Sequence, residues 1–422
     1  MNDQNIYLSD IIYCDALEKT GRPEVEKFVK NIFFHGCENI NSGIDKGPPP
    51  DTDNQQLKEL WISNAFGSFK KEMSRDMLDE ERLSFLRSLW KKIGDINKKP
   101  EDFSHEDWVE LRNFVFSEVK RWYSNLLSDS RFPANDVTLW DQAYMTASLF
   151  KASLAATQLD NSRLDDYKHE TLCMKIKWSI LGIQYDKLGL AEKALKAPYI
   201  DWYRDAVNEV DNKIKKIIET DYAFGNEIYR DETGIYFIVP ENAGVFKDSS
   251  DYFCPLSKSL QRIQDEISRV FSNKFNGEIY PSISVTKPSR GIMNLAYLLE
   301  ESKKNFLKAY YPKNFEEICS DKEQASHKDV VAYNGLCQIC KFRLAKKNNE
   351  DLMVCDRCSG NEGKRLKYWI ENLNGETIWT GELPDKNGRI ALVTLKFELQ
   401  RWLNADMLNT SVKNILDDEE PC

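Results

Sequence analysis

The 422-residue sequence has few of the residues on which hydrolases and phosphate-binding enzymes commonly depend. Its only four histidines are His35, His105, His169 and His327, and none is followed by Asp or paired with another His at metal-ligand spacing. None of its 19 glycines lies in a phosphate-binding loop that ends in Lys-Ser or Lys-Thr. These absences argue against a His-Asp metal hydrolase and against a P-loop nucleotidase.

The sequence also lacks long apolar runs. No run approaches 18 residues, and the N-terminal MNDQNIYLSD has no basic stretch followed by an apolar core. We therefore expect a soluble cytoplasmic protein with no membrane partner. The net charge of −10 disfavours non-specific binding of nucleic acid by the whole surface, but it is compatible with a local basic groove.

Four of the ten cysteines form two Cys-x-x-Cys pairs, Cys337/Cys340 and Cys355/Cys358, with fourteen residues between them. This spacing predicts a tetrahedral Zn²⁺ site with sulfur atoms about 2.3 Å from the metal. A closed four-ligand site of this kind is structural and performs no chemistry. A disulfide is the alternative, but nothing in the sequence indicates an oxidising compartment. The other six lack a common spacing and are expected to be buried or incidental thiols: Cys14, Cys37, Cys173, Cys254, Cys319 and Cys422.

The segment around these cysteines is basic. Residues 341–367 contain eight Lys or Arg and four Asp or Glu. This balance makes the segment the best candidate for contacts with RNA phosphates, and a solvated loop is the alternative. The candidate RNA-binding residues are Lys341, Arg343, Lys346, Lys347, Lys364 and Arg365.

The N-terminal part, residues 1–168, is predicted to be a mainly helical domain. Helical periodicity covers 76–95, and a second helix follows the N-cap Ser104, with Asp107 three residues on. A third helix is expected over 137–157. His35 and Cys37 have no nearby partner pair, so a local turn is favoured over a metal site.

From about residue 169 the pattern changes to strand, helix, hairpin, helix, strand. This order predicts a ferredoxin-like βαββαβ domain over 169–290, and the fold class is α+β with several domains. Linking helices are expected over 291–332 and the zinc-ribbon region over 333–372. A second unit of the same kind is expected to begin within 373–422, where a strand ends at Glu398.

This geometry is that of palm-type nucleotide polymerases and cyclases. In those domains an acid after the first strand and acids in the hairpin turn hold divalent metals on a triphosphate. By position the candidates are Asp186 and Asp231–Glu232, with Glu398 in the second unit. Ile228-Tyr229-Arg230 stands before the hairpin acids where glycines would allow close approach, so a solvated turn is favoured.

Several motifs in a fixed order resemble the large palm-containing subunit of type III CRISPR effector complexes, in a divergent branch. The resemblance covers most of the chain from about Pro133 onward. It rests on FPANDVTLWDQA at 132–143, WSILGIQYD at 178–186, GNEIYRDETG at 225–234, the four-cysteine ribbon, and NGRIAL at 387–392 with WL at 402–403.

The resemblance implies a subunit that contacts guide RNA, target RNA and other effector subunits. Active members cut DNA with an N-terminal His-Asp domain and make cyclic oligoadenylate with a Gly-Gly-Asp-Asp turn in the second palm. Here Gln142 stands where the family has His after Trp-Asp, no His-Asp dipeptide precedes it, and the second palm stops before any such turn. The N-terminal domain therefore resembles a relict His-Asp domain, and we expect either a split gene product or a scaffold.

Three functions stay open at this point. The leading expectation is a scaffold subunit with no enzymatic activity of its own. The rival is a metal-dependent nucleotidyl cyclase or polymerase-like enzyme that a second chain completes, with Mg²⁺ or Mn²⁺ on Asp186 and either Asp231 or Glu398. The third is an unrelated zinc-ribbon module that binds nucleic acid.

Overall fold

The computed structural model describes residues 23–45, 59–63, 70–99, 102–128, 137–192, 197–246, 251–275 and 279–308, with short pieces at 336–338, 343, 346–347, 353–355 and 413–415. Its helices are α1 Pro23–Lys30, α2 Asn39–Asp45, α3 Arg75–Ile96, α4 His105–Tyr123, α5 Leu139–Leu159, α6 Arg163–Asp166, α7 Glu170–Cys173, α8 Lys187–Glu192, α9 Ala197–Lys216, α10 Gln261–Phe275 and α11 Ile292–Lys303. A π-helical segment, Asn31–Glu38, joins α1 to α2, and a second one, Ile217–Asp221, extends α9.

The strands are β1 Glu59–Ser63, β2 Lys70–Glu72, β3 Trp178–Gln184, β4 Asn226–Asp231, β5 Gly234–Pro240, β6 Phe253–Cys254, β7 Ser282–Thr286, β8 Lys346–Lys347, β9 Met353–Val354 and β10 Lys413–Ile415. The main sheet has the order β4-β5-β3-β7-β6, and its neighbours are antiparallel. Without the short β6, this is the strand order of a split βαβ unit, so the βαββαβ arrangement predicted from the sequence is confirmed.

The main sheet is covered on both faces. Leu181 and Ile183 of β3 belong to one buried cluster, which α9 and α10 complete. Trp178 and Ile180 belong to a second cluster, which the π-helical segment after α1, α5 and α11 complete. Every residue of β3 is therefore buried, which explains why its sequence is apolar at nearly every position and does not alternate.

Small side chains on α5 allow it to lie close to the sheet. Ala152 and Ala156 are almost completely buried, and α5 packs mainly against β5. The indole nitrogen Nε1 of Trp178 donates hydrogen bonds to the Leu149 carbonyl and to Ser153 Oγ, both at 3.0 Å. The buried indole thus has its polar atom satisfied, and the helix is held to the first residue of the central strand.

The N-terminal segment is held to the sheet domain by Arg290. Its guanidinium donates to the backbone carbonyls of Cys173, Ile176 and His35 at 3.2–3.3 Å. Nearby, the Cys37 thiol lies 3.7 Å from Ser153 Oγ, and burial raises the pKa of this thiol to about 12. His35 and Cys37 lie in the packed π-helical segment, and not in the local turn that the sequence favoured.

The helix starts follow their capping residues. Ser104 and Asp107 form the capping box of α4, with reciprocal hydrogen bonds of 3.2 and 2.8 Å. Thr138 and Asp141 form the same box at the start of α5, which places its first residue at Leu139. The three N-terminal helices predicted from the sequence are therefore confirmed to within two residues at either end.

A small antiparallel sheet joins distant parts of the chain in the order β10-β1-β2. Glu59 to Trp61 pair with Ile415 to Lys413, so residues near the end of the sequence contact the N-terminal region. The other residues of the predicted second palm unit lie outside the described residues. In the described part of the chain, no helix combines the length and the apolar character needed to cross a bilayer.

Candidate site at the strand ends of the main sheet

The structure brings two predicted acidic positions to the same edge of the sheet. Asp186 follows β3, and the turn that contains Asp231 and Glu232 joins β4 to β5. The backbone N–H of Tyr185 donates to the Thr233 carbonyl at 3.0 Å, and that of Lys187 donates to the Glu232 carbonyl at 3.3 Å. The predicted proximity is therefore found, whereas Glu398 lies outside the described residues.

Asp186 acts as a local helix cap. Its Oδ1 accepts a hydrogen bond of 2.7 Å from the backbone N–H of Gly189, in the first turn of α8. A Cβ atom on Gly189 would lie 2.1 Å from Asp186 Oδ2, so the glycine is needed for this close approach. The carboxylate offsets the unpaired N–H groups at the helix start.

Asp231 is held by the turn and by a lysine from α11. Its Oδ1 accepts from Thr233 N at 2.9 Å and from Thr233 Oγ1 at 2.6 Å, and its Oδ2 lies 3.2 Å from Lys303 Nζ. Burial acts to raise the pKa of this carboxyl, but the hydrogen bonds from Thr233 and Lys303 outweigh burial and lower it. Asp231 is thus ordered within the turn, so the solvated turn expected from the sequence describes only Glu232, which is exposed.

The ammonium of Lys303 also lies 4.1 Å from the ring centroid of Tyr229. Its neighbour Ser302 accepts hydrogen bonds from the amide of Gln184 at its backbone oxygen, at 2.6 Å, and at its hydroxyl. Gly182 leaves room for this contact, because a Cβ there would lie 2.9 Å from Ser302 Oγ. The end of α11 therefore covers the sheet beside the candidate acids.

A third acid, Asp211 of α9, completes the polar cluster and was missed from the sequence. It is 1% exposed. Its carboxylate accepts from Tyr185 OH at 2.8 Å and from Lys187 Nζ at 2.7 Å, and Arg230 Nη1 lies 3.7 Å away. Its signal in the sequence was an acid on the apolar face of a helix, between Val210 and Ile214.

Lys187 is the cation closest to this buried carboxylate. Its ammonium also donates to the Gly234 carbonyl at 3.0 Å. Burial lowers the pKa of Lys187, and the Asp211 carboxylate opposes this effect. Burial also raises the pKa of Tyr185 well above its usual value, with Asp211 adding to the effect, so its hydroxyl stays protonated and donates.

The carboxylates of Asp211 and Asp231 therefore accept hydrogen bonds and ion pairs from the protein itself, and Asp186 accepts one at Oδ1. Lys187, Arg230 and Lys303 supply positive charge to Asp211 and Asp231, and a backbone N–H occupies one oxygen of Asp186. Mg²⁺ and Mn²⁺ are bound through carboxylate oxygens that are open to the metal. In the described ranges, no group of three or more His, Cys, Asp or Glu side chains is placed to hold a metal.

Two of the four predicted zinc ligands lie among the described residues. Cys337 and Cys355 are buried, at 0% and 3% exposure. The N–H of Cys337 donates to the Arg343 carbonyl at 2.7 Å, and the N–H of Gln338 donates to the Met353 carbonyl at 2.8 Å. Cys337 therefore lies next to the strand β9 that Cys355 follows. Cys340 and Cys358 lie outside the described residues.

The predicted RNA-binding residues are only partly described. Lys346 and Lys347 form β8, which pairs antiparallel with β9. The Arg343 guanidinium donates to Tyr203 OH of α9 at 2.7 Å, so this side chain joins the ribbon region to the sheet domain. The other three lie outside the described residues: Lys341, Lys364 and Arg365.

Gln142 lies on α5, where the family resemblance expects His. Its backbone carbonyl accepts a hydrogen bond of 2.8 Å from the amide of Asn41, which also donates to Thr146 Oγ1 at 2.9 Å. Of the other described histidines, His105 is exposed as expected, and His169 is exposed as well. The contacts at Gln142 hold α2 against α5.

No family model matches the sequence, and no curated protein matches it. Among solved structures, the chain is similar to one in the crystal structure of the apo Csm1-Csm4 cassette, with 11% identity and a TM-score of 0.37 over 60% of this chain and 34% of that one. It is also similar to Csm1 in T. onnurineus, with 14% identity and a TM-score of 0.36 over 65% and 38%. The chain thus matches little more than a third of the length of these proteins. Because the superpositions are this loose, no residue of this chain is assigned a role from them.

The Lys303–Asp231 pair should make the free energy of unfolding depend on pH. Because the folded-state pKa of Asp231 is lowered, the pair contributes its full stabilisation above the unfolded-state pKa of about 3.9. That stabilisation is lost as the pH falls through the folded-state pKa. Lys303→Met should lower the free energy of unfolding by about 2 kcal/mol at pH 7 and by clearly less near pH 2. Urea denaturation at the two pH values measures both.

Lys304→Met is the matched control, since the Lys304 side chain is 70% exposed and pairs with Glu301 on the same helix. It should change stability by less than about 0.5 kcal/mol. Equal losses for the two variants at pH 7, or an undiminished Lys303 loss in acid, would contradict the assignment of this contact.

Proposed function

We propose that this chain is a large-subunit-like scaffold of a type III RNA-guided antiviral effector complex. In this proposal it contacts guide or target RNA and neighbouring effector subunits. The ordered sequence motifs support the subunit class. One of the similar structures is a cassette of Csm1 with Csm4, and we propose that this chain also binds a partner subunit of that kind.

One observation supports a scaffold over an enzyme. At the strand ends, the carboxylates of Asp211 and Asp231 have Lys187 and Lys303 as counter-cations, and Asp186 caps a helix. On Asp211 and Asp231, a divalent ion would have to compete with these lysines before it could hold a triphosphate. The same contacts stabilise the turn and fasten α11 over the sheet, which is a structural role.

The rival is a metal-dependent nucleotidyl cyclase or polymerase-like activity. The assembled complex, incubated with ATP, Mn²⁺ and target RNA, should give the same products with the wild-type chain and with Asp186→Ala. Chromatography of the nucleotide products measures this. Oligoadenylate that the wild type makes and Asp186→Ala does not would overturn the scaffold proposal.

The ribbon carries a separate proposal of one structural Zn²⁺ on Cys337, Cys340, Cys355 and Cys358. The neighbouring positions of Cys337 and β9 support it. Metal analysis should find one Zn²⁺ per chain. Cys355→Ser should lose the metal and unfold the ribbon locally, because zinc supplies on the order of 10 kcal/mol of folding free energy in small modules.

The matched control is Cys254→Ser, in the main sheet, where the cysteine is also buried; this variant should keep its zinc. Zinc-free protein made under reducing, zinc-replete conditions would refute this proposal.

RNA contact by the basic segment predicts a salt effect. Replacing four basic residues by Gln should weaken RNA association and flatten its dependence on salt, by roughly 0.7 in the log–log slope for each lost phosphate contact with a single strand. The four are Lys346, Lys347, Lys364 and Arg365. Fluorescence anisotropy with labelled RNA at several salt concentrations measures the slope, and zinc content should not change.

A control with the same change in net charge uses four exposed lysines elsewhere in the chain: Lys91, Lys99, Lys175 and Lys177. Their replacement by Gln should leave the slope within error of the wild type. An unchanged slope in the first variant, with its circular dichroism spectrum intact, would assign RNA binding to partner subunits and the basic segment to solvation.

A further inference from the structure

Lys151 of α5 is a partly buried cation with no carboxylate at ion-pair distance in the described part of the chain. Its ammonium donates to two neutral oxygens, the Glu219 backbone carbonyl at 2.6 Å and Asn226 Oδ1 at 2.9 Å. An ammonium has three N–H donors, and these bonds use two of them. Burial of a charge is costly unless the charge is paired, so an anion that enters the cleft beside Lys151 would be stabilised by this ammonium.

The nearby carboxylate of Glu219 already has other partners. It accepts from Arg112 Nη2 and from the backbone N–H of Glu227, both at 2.8 Å, and its side chain is 2% exposed. Tyr144 OH lies 3.4 Å from the same group. Burial lowers the pKa of Lys151 to about 8; Arg112 and Lys215 add to this effect, and the Glu219 carboxylate opposes it.

Lys151 lines an open cleft of about 380 Å³ between α4 and α5. Trp108 and Arg112 of α4 form the opposite wall, four residues apart and therefore on the same face of the helix. Trp108 is 50% exposed, although it is a large apolar side chain. Arg112 lies over the ring of Phe116, with its Cζ 4.3 Å from the ring centroid. One cleft thus offers the Lys151 ammonium, the Arg112–Glu219 ion pair and a flat aromatic surface.

We propose that this cleft binds one nucleotide, with its phosphate on Lys151 and its base on Trp108. Phosphate carries the charge opposite to that of the Lys151 ammonium, and bases stack on exposed aromatic rings irrespective of their sequence. The volume lies at the small end of ligand pockets, which suits a single nucleotide. The site is distinct from the strand-end acids and from the basic ribbon, and it does not depend on the proposed scaffold function.

The same chemistry has two sources, a free nucleotide and one residue of a single-stranded RNA. Adenosine 5′-monophosphate and hexa-adenylate RNA are the two probes, and adenosine tests the need for phosphate. Binding is followed by calorimetry on the full chain. If the monophosphate binds as tightly as the RNA, the cleft is a mononucleotide site. If the RNA binds more tightly, the cleft binds one residue of an RNA strand. Either result supports the proposal, as long as adenosine binds at least tenfold more weakly than the monophosphate.

Lys151→Met keeps the apolar stem and removes the charge, and Trp108→Leu removes the stacking surface. Each should weaken binding of the better probe by about tenfold or more. Lys175→Met and Trp90→Leu are the matched controls, since Lys175 is exposed, Trp90 is 64% exposed, and neither lines the cleft. They should leave affinity unchanged. If Lys151→Met does not fold, a second measurement on the wild-type chain replaces it. The bound probe should then protect Lys151 from chemical acylation, which mass spectrometry detects.

A second cleft of about 580 Å³ meets the first at Lys151 and is mostly apolar, with Leu154, Phe224 and Ile263 in its lining. It offers the alternative of an apolar carboxylate, for which decanoate is the probe. Decanoate binding that depends on Lys151, without nucleotide binding, would overturn the nucleotide proposal. So would nucleotide binding that neither variant weakens, or no binding of either nucleotide probe at millimolar concentration.

Discussion

Complete burial of β3 is the constraint on which the rest of the described structure depends. The strand pairs with β5 on one side and β7 on the other, and its faces belong to two different hydrophobic clusters. In a strand enclosed on all sides, charged side chains are accommodated at the ends of the strand rather than within it. The polar residues that follow it, Asp186 and Lys187, therefore lie at the edge where the β4–β5 turn also ends.

That edge shows how buried charge is accommodated. Asp211 faces a tyrosine hydroxyl, an ammonium and a guanidinium, so that each group has a partner of opposite charge or a hydrogen bond. Removing one partner of such a cluster usually destabilises a protein more than the cluster itself stabilises it. The same reasoning makes Lys151 unusual, because its hydrogen-bond partners are neutral oxygens and the Glu219 carboxylate, which acts on it electrostatically, is bound to Arg112.

The helices on the second face of the sheet connect the fold to both candidate sites. The C-terminal end of α11 brings Ser302 and Lys303 over the strand ends, and α5 places Lys151 on the cleft toward α4. The buried face of α5 consists of Leu149 and small side chains, four of which carry hydroxyl groups. One helix thus contributes to the core through this face and to a candidate binding surface through Lys151.

The sequence alone was enough to predict those helices and strands whose signals lie within a few neighbouring residues. Ser104 with Asp107 starts α4, and the apolar run at 178–185 gives the central strand, because capping and burial patterns act over a few residues. The same reasoning placed Asp186 and Asp231 together, since strand order followed from the order of elements. The roles of these acids depend on residues far away in the sequence. Lys303 reaches Asp231 from 72 positions on, and Arg112 takes the carboxylate of Glu219 across 107. Only the tertiary structure decided those pairings, because the free energy of a buried charge depends on which groups surround it in space.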